Sequence, residues 1–74
     1  MRRRMAQHPN AVSLAEARRL LEAYGWTLDR IRGSHHIFAC GTRTLSVPHR
    51  RPHILPAYVR QILAATEGQD DDDT

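Results

Sequence analysis

The sequence predicts an α+β fold with the order α-β-β-β-α. The three strands form an antiparallel sheet, and both helices pack on one face of that sheet. Three observations lead to this prediction. An amphipathic stretch with helix start and stop signals comes first, three short strand-like segments follow, and a second amphipathic stretch comes last. Because a sheet this small must bury one face, and two one-sided helices can cover it, the elements should form a two-layer sandwich with one open sheet face.

The first helix is predicted over residues 14–24. Ser13 to Glu16 have the form of a capping box, in which the serine oxygen accepts from the Glu16 amide and the glutamate reaches back toward the cap. Apolar residues then recur at helical spacing as far as Tyr24. Gly25 follows, where a glycine commonly ends a helix.

Three segments have the composition of strands: residues 26–31, 35–40 and 43–47. Gly33-Ser34 separates the first two. Gly41-Thr42 links the second and third, and a two-residue link with glycine first favours a type II′ hairpin turn. These segments therefore predict an antiparallel sheet.

The second helix is predicted to start near Pro56, because proline fits the first turn of a helix. A basic loop, His49–His53, connects it to the end of the third strand at Pro48. The apolar stripe of this helix consists of Leu55, Val59, Ile62 and Leu63. Both predicted helices are therefore amphipathic, with apolar side chains along one face.

The hairpin turn also predicts which side chains share a face of the sheet. If Gly41-Thr42 sets the register, Cys40 opposes Arg43, and the pairing continues until His35 lies near Pro48. The face beneath the helices then collects His36, Phe38, Cys40, Leu45 and Val47. The open face collects His35, Ile37, Ala39, Thr44 and Ser46. A slip of one residue would exchange the roles of His35 and His36.

Charge is unevenly distributed along the chain. The chain has 11 arginines and 8 acidic residues, so its formal net charge is +3. Residues 13–66 hold eight arginines and three acidic residues, a net charge of +5, whereas residues 70–73 are all aspartate. A compact basic body favours a polyanionic partner such as nucleic acid.

Length and composition exclude several classes of protein. A chain of 74 residues is one small domain, too small for a dinucleotide-binding domain, a barrel or an enzyme with a deep pocket. No apolar stretch approaches the ~20 residues that span a bilayer, and the basic N-terminus lacks the apolar segment of a secretory signal. The single cysteine fits a reducing compartment, so we expect a cytoplasmic protein without membrane contact.

We expect three segments along the chain: a flexible basic leader at residues 1–12, one folded domain at residues 13–66, and a disordered acidic tail at residues 67–74. The leader has no apolar period. The polar tail cannot bury apolar surface, which favours disorder.

Gly33-Ser34-His35-His36, the hairpin that ends in Leu45–His49, and the helix that begins at Leu55 together resemble the HicA family of bacterial toxins. The similarity covers about residues 14–65. It implies a fold like that of double-stranded-RNA-binding domains (α-β-β-β-α), cleavage of mRNA, and a HicB-like antitoxin as partner. The resemblance also implies that the chain is a monomer alone or a hetero-oligomer with that antitoxin.

The resemblance implies His35 as the catalytic histidine, with His36 as the alternative, because some members carry the histidine one place later. The segment after Pro48 departs from the family's commoner Pro-x-His-Gly pattern. The roles of His36 and His49 therefore stay open.

Cleavage of RNA requires few protein groups, because the ribose 2′-OH is the nucleophile. Imidazole is a suitable base, since its unperturbed pKa of about 6.5 lies near working pH. Arginine can neutralise the developing charge on phosphorus, so we expect neither a metal nor another cofactor. The residues expected to bind RNA lie at strand ends and in the following loop: Arg32, Gly33, Ser34, Arg43, Arg50 and Arg51. The proton for the leaving oxygen could come from His36, His49 or water.

Other functions remain open from the residues alone. A non-catalytic RNA-binding module would share the fold and the basic surface, although only Arg60 is charged at the start of the second helix, over residues 55–60. The arginines could also bind only an acidic protein. The spacing of His49 and His53 is one that zinc ligands can have, but both residues lie in a loop that contains Pro52, so the pattern gives little support to a zinc site.

Overall fold

The computed structural model describes residues 1–68, so most of the expected acidic tail lies outside the described residues. Within this range the helices and strands follow the predicted order, with one additional α-helix and a short 3₁₀ turn at the start. In chain order the elements are α1 (Arg2–Gln7), a 3₁₀ turn (Pro9–Ala11), α2 (Leu14–Ala23), β1 (Thr27–Arg32), β2 (His35–Cys40), β3 (Arg43–Pro48) and α3 (Pro56–Thr66). The predicted α+β class is confirmed.

Ser13 and Gly25 begin and end α2 as the sequence predicts. Oγ of Ser13 accepts a hydrogen bond from the Glu16 amide at 3.1 Å. The Glu16 carboxylate, which the capping box predicts to reach back toward the cap, accepts a hydrogen bond from Arg4 at 2.6 Å, and this contact links α2 to α1. At the other end Gly25 has a φ of +90°, and the Trp26 amide donates back into the last turn at 2.9 Å. This is the Schellman arrangement that ends a helix at a glycine.

The sheet has the strand order β1-β2-β3, and both pairs of strands are antiparallel. The register between β2 and β3 is the predicted one, with Cys40 opposite Arg43 and His35 opposite Pro48. Gly41, between the two strands, has a φ of +62°, as the first central residue of a type II′ turn requires. The predicted assignment of β2 and β3 side chains to two faces is therefore confirmed.

The helices cover one face of the sheet and leave the other open. Phe38 and Val47 on the covered face are completely buried, whereas His35 and Ser46 on the open face are exposed. One cluster of apolar side chains forms the core: Met5, Val12, Ala17, Leu20, Leu21, Trp26, Phe38, Val47, Ile54, Val59, Ile62 and Ala65. The molecule is thus a two-layer sandwich.

A bulge in β1 changes which of its side chains face the helices. Leu28 opposes Phe38 and Arg30 opposes Ile37, so Asp29 between them has no partner on β2. Because side chains alternate between faces along a strand, one extra residue moves every later residue of β1 to the other face. Arg30 consequently lies on the open face of the sheet.

The prediction of a flexible leader at residues 1–12 is wrong. α1 packs against α3, and Met5 and Val12 are completely buried in the core. Arg2 donates hydrogen bonds to Oγ1 of Thr66 at 3.0 Å and to a carbonyl of the last turn of α3 at 2.7 Å. The folded unit therefore begins before residue 13.

None of the helices within residues 1–68 combines the length and the apolar character needed to cross a lipid bilayer.

Candidate functional site

The open face of the sheet carries a histidine and two arginines at one end. From the β1–β2 turn outward, its cross-strand rows are Arg32–His35–Pro48, Arg30–Ile37–Ser46 and Thr27–Ala39–Thr44. Directly opposed residues lie about 5 Å apart, and diagonal neighbours are within reach of long side chains. Guanidinium groups and an imidazole can therefore meet the same ligand on this face.

The His35 side chain is exposed and held by a neighbour on β3. Its Nδ1 lies 3.1 Å from Oγ of Ser46, which is the diagonal neighbour on the same face. When Nδ1 carries the proton and donates it to this hydroxyl, the lone pair of Nε2 remains free. The contact therefore orients the ring and leaves one nitrogen available as a base.

Gly33 and Ser34 form the tight turn between Arg32 and His35. Gly33 has a φ of +61°, a conformation that favours glycine. Apart from Gly33 and its two chain neighbours, no atom of residues 1–68 lies within 4 Å of the position that a Cβ would take there. The turn is therefore open to the close approach of a ligand such as a phosphate.

His36, the alternative catalytic histidine, lies on the helical side of the sheet and is half-buried. Its Nδ1 is buried and finds no hydrogen-bond partner among residues 1–68. Its ring meets the ring of His49 edge to face, with 5.3 Å between the centroids and 80° between the planes. His36 and His49 are thus brought together with each other and not with His35.

Arg43 is far from His35 and on the other face of the sheet. Its guanidinium lies 5.1 Å from the centroid of the Trp26 ring and donates to the carbonyl of Ala65 at 3.3 Å. Its partner Cys40 is five residue steps along β2 from His35, which corresponds to roughly 17 Å along the sheet. The structure therefore does not bring Arg43 to the other expected RNA-binding residues.

Arg50 and Arg51 are exposed in the loop that follows β3. This loop starts at the same end of the sheet as His35, because the amide of His49 donates to the carbonyl of Ser34 at 2.6 Å. Nη1 of Arg50 contacts the carbonyl of His53 at 3.4 Å. The loop thus adds positive charge near the β1–β2 turn.

Among residues 1–68, the acidic residues other than Asp29 are placed away from the open face of the sheet. Glu16 and Glu22 lie on α2, where they pair with Arg4 and Arg18. Glu67 follows α3, and Asp29 sits in the bulge at the edge of β1. Oδ2 of Asp29 lies 3.8 Å from Nε of Arg30, but both side chains are more than half exposed, so this pair only weakly neutralises the positive charge of the open face.

No three His, Cys, Asp or Glu side chains within residues 1–68 come close enough together to hold a metal ion. His35 and Cys40, two further residues of types that bind zinc, lie on opposite faces of the sheet.

Sequence reasoning did not identify Arg30 or Ser46 as site residues. Ser46 was expected on the open face, but its contact with His35 depends on side-chain rotamers. Arg30 was missed because the alternation of residues 26–31 places it beneath the helices, and only the bulge at Asp29 moves it to the open face. The exposed Ile31 at the end of that alternation is the one irregularity in the pattern that points to a bulge.

Comparison with known proteins identifies one family. A family model described as the HicA toxin of bacterial toxin–antitoxin systems matches residues 15–67, most of the chain. Comparison with curated protein sequences and with solved structures gives no match. The match includes both helices and the whole sheet that the sequence predicts, and it leaves out α1. The chain therefore belongs to the HicA toxin family of bacterial toxin–antitoxin systems.

Proposed function

We propose that this chain is an endoribonuclease that cleaves mRNA without a metal ion, and that His35 takes the proton from the ribose 2′-OH. The observation that carries the proposal is an exposed imidazole, oriented by Ser46 and next to Arg32, on an open sheet face. A surface site of this kind needs no deep pocket. It does need a substrate that carries its own nucleophile and several negative charges, and RNA has both.

The reaction follows from these groups. Nε2 of His35 accepts the 2′-OH proton while the 2′-oxygen attacks the adjacent phosphorus, and the bond from phosphorus to the 5′-oxygen breaks. The products are a 2′,3′-cyclic phosphate and a 5′-hydroxyl, whose oxygen takes its proton from water that reaches this exposed face. Arg32 stabilises the extra negative charge on the phosphoryl oxygens of the transition state.

The geometry favours His35 over His36 as the base. A base must come within hydrogen-bond reach of the proton that it removes. The His35 ring projects from the open face, whereas the His36 ring is half-buried against His49. DNA lacks the 2′-OH and should not be cut.

A toxin of this family requires an antitoxin partner, and we propose that this partner is HicB-like. The proposed site of action is the cytoplasm, where mRNA and antitoxin are found together. The toxin would arrest growth only when it is unopposed.

Regulated expression of the wild type beside His35→Ala tests this function in cells. The wild type should arrest growth and fragment mRNA, and His35→Ala should do neither while accumulating as folded protein. Thr44→Ala is the matched control, because Thr44 lies on the same face but in the row farthest from His35. Growth arrest and RNA cleavage by His35→Ala would disprove the assignment. A wild type that binds RNA and leaves it intact would indicate a non-catalytic RNA-binding module.

A further inference from the structure

We infer that single-stranded RNA runs along β1 on the open face of the sheet, with Arg32 at the phosphate that is cut and Arg30 at the next phosphate. The inference rests on the proposed function and adds the path of the substrate to it. It makes the sheet, and not the helices, the RNA-binding surface of this molecule.

The bulge at Asp29 creates this pair of arginines. In a regular strand that continued the alternation from Leu28 through Asp29, Arg30 and Arg32 would both fall on the helical face of the sheet. With the bulge, both residues share the open face with His35, two positions apart on one strand. Their Cα atoms are then roughly 6.6 Å apart, because a strand rises about 3.3 Å per residue. Two flexible guanidinium groups at this spacing can contact successive phosphates of one nucleic-acid strand.

Arg30 is available for such a contact. Its side chain is 62% exposed, and its nearest carboxylate oxygen, on Asp29, lies 3.8 Å from Nε. Exposed ion pairs of this kind contribute little to stability, so a phosphate can replace Asp29 at small cost. Arg43, by contrast, is already engaged with Trp26 and Ala65 on the other face.

The shape of the face fits one RNA strand better than a duplex. Three strands about 4.8 Å apart make a surface only about 10 Å wide. Ile37, half-buried in the row of Arg30, supplies an apolar patch between the arginines and Ser46 on which a ribose or base can rest. The double-stranded-RNA-binding mode would instead use the start of α3, where Arg60 is the only charged residue among residues 55–60.

The chemistry also favours a single strand. Attack by the 2′-oxygen requires it to lie in line with the departing 5′-oxygen, a geometry that the regular stacked backbone of a duplex does not offer. Unpaired nucleotides can be splayed and turned into it. His35 on the central strand and Arg32 on the edge strand lie directly opposite each other, so they can hold one such turned linkage between them.

Binding of an uncleavable oligonucleotide tests the path separately from catalysis. We would titrate the full chain with a fluorescent single-stranded oligoribonucleotide of mixed sequence whose riboses are 2′-O-methylated, and measure affinity against salt concentration. Each protein–phosphate contact contributes a slope of about 0.7 in log K against log salt for single strands. Arg30→Ala and Arg32→Ala should each reduce the slope by about this amount, and Arg30→Lys should preserve it. Arg19→Ala, an exposed arginine of α2 on the helical side, is the matched control and should leave the slope unchanged.

The outcomes are distinct for the path and for the function. An unchanged slope for Arg30→Ala, an equal loss for Arg19→Ala, or tighter binding of the annealed duplex would overturn the proposed path. The same proteins are then mixed with the unmethylated oligonucleotide. If the slopes change as expected and the wild type does not cut, the path stands and the endoribonuclease proposal fails. If the wild type cuts the RNA, and Arg30→Ala binds and cuts it equally well, the endoribonuclease proposal stands and the proposed path fails.

Discussion

Nδ1 of His35 on β2 lies 3.1 Å from Oγ of Ser46 on β3, so a hydroxyl on one strand orients the exposed imidazole on its neighbour. The contact is diagonal across the pair, within the reach that a regular antiparallel register allows. It makes Ser46 a positioning residue for the proposed base.

Replacement of Ser46 by alanine should slow RNA cleavage by about 2–12-fold, because a neutral hydrogen bond contributes about 0.5–1.5 kcal/mol. Ser46→Thr keeps a hydroxyl and should restore most of the rate, and Thr44→Ala should behave like the wild type. The ¹⁵N chemical shifts of the His35 ring report its tautomer and should change in Ser46→Ala. A normal rate together with unchanged ring shifts in Ser46→Ala would remove this role from Ser46.

Arg43 and Arg32 should give opposite phenotypes. Arg43→Ala should lower the free energy of unfolding by about 1 kcal/mol, because it removes a cation–π contact with Trp26 and a hydrogen bond to Ala65. It should leave RNA cleavage unchanged well below the unfolding temperature. Arg32→Ala should keep the stability and lose cleavage. Denaturant unfolding and RNA cleavage should be measured on both variants. Impaired cleavage by Arg43→Ala at unchanged stability would contradict the placement of Arg43.

α1 should contribute to the stability of the whole domain. Met5 is completely buried, and removal of a buried methionine side chain to alanine typically costs 2–5 kcal/mol. Met5→Ala should therefore lower the midpoint of thermal unfolding by many degrees, whereas Gln7→Ala, at an exposed position of the same helix, should change it little. Equal midpoints for Met5→Ala and the wild type would mean that α1 does not pack as described.

An antitoxin that inhibits by occlusion should cover His35 and place acidic residues against Arg32, Arg50 or Arg51. Arg43, which the sequence also places among the residues expected to bind RNA, is not part of this set, because its guanidinium lies over the Trp26 ring. Arg32→Glu should weaken the complex with the cognate antitoxin in a titration, since close charge pairs at interfaces can couple by more than 1 kcal/mol.

Arg19→Glu on the helical side is the control for that titration and should bind the antitoxin normally. A complex in which these arginines and His35 all remain exposed to solvent would exclude simple occlusion.

The register of the hairpin could be predicted because local chemistry determines it. Gly41 at the first central position of a two-residue turn fixes which residues of β2 and β3 oppose each other, and the alternation of side chains then places His35 on the open face. The ends of α2 could be predicted for the same reason, since Ser13 and Gly25 each act on residues within one turn of the helix.

The bulge and the N-terminal helix could not be predicted in the same way. The bulge at Asp29 shows only as a late break in an otherwise regular alternation, and its effect is to exchange the faces of Arg30 and its neighbours. α1 buries one side chain, Met5, and Val12 is buried just after the 3₁₀ turn, so this part of the chain has no periodic pattern of apolar residues. α1 depends on packing against α3, which is distant in the chain, and the bulge depends on how β1 pairs with β2.

The most direct measurement of the central claim is cleavage of purified RNA in EDTA by the wild type, His35→Ala and His36→Ala, followed by identification of the new ends. We expect the wild type to leave 2′,3′-cyclic phosphates and 5′-hydroxyls. His35→Ala should be slower by about 10²–10⁴-fold, the usual contribution of a general base, and folded His36→Ala should retain activity. Undiminished cleavage by His35→Ala, or dependence of the wild type on a divalent metal, would contradict the account.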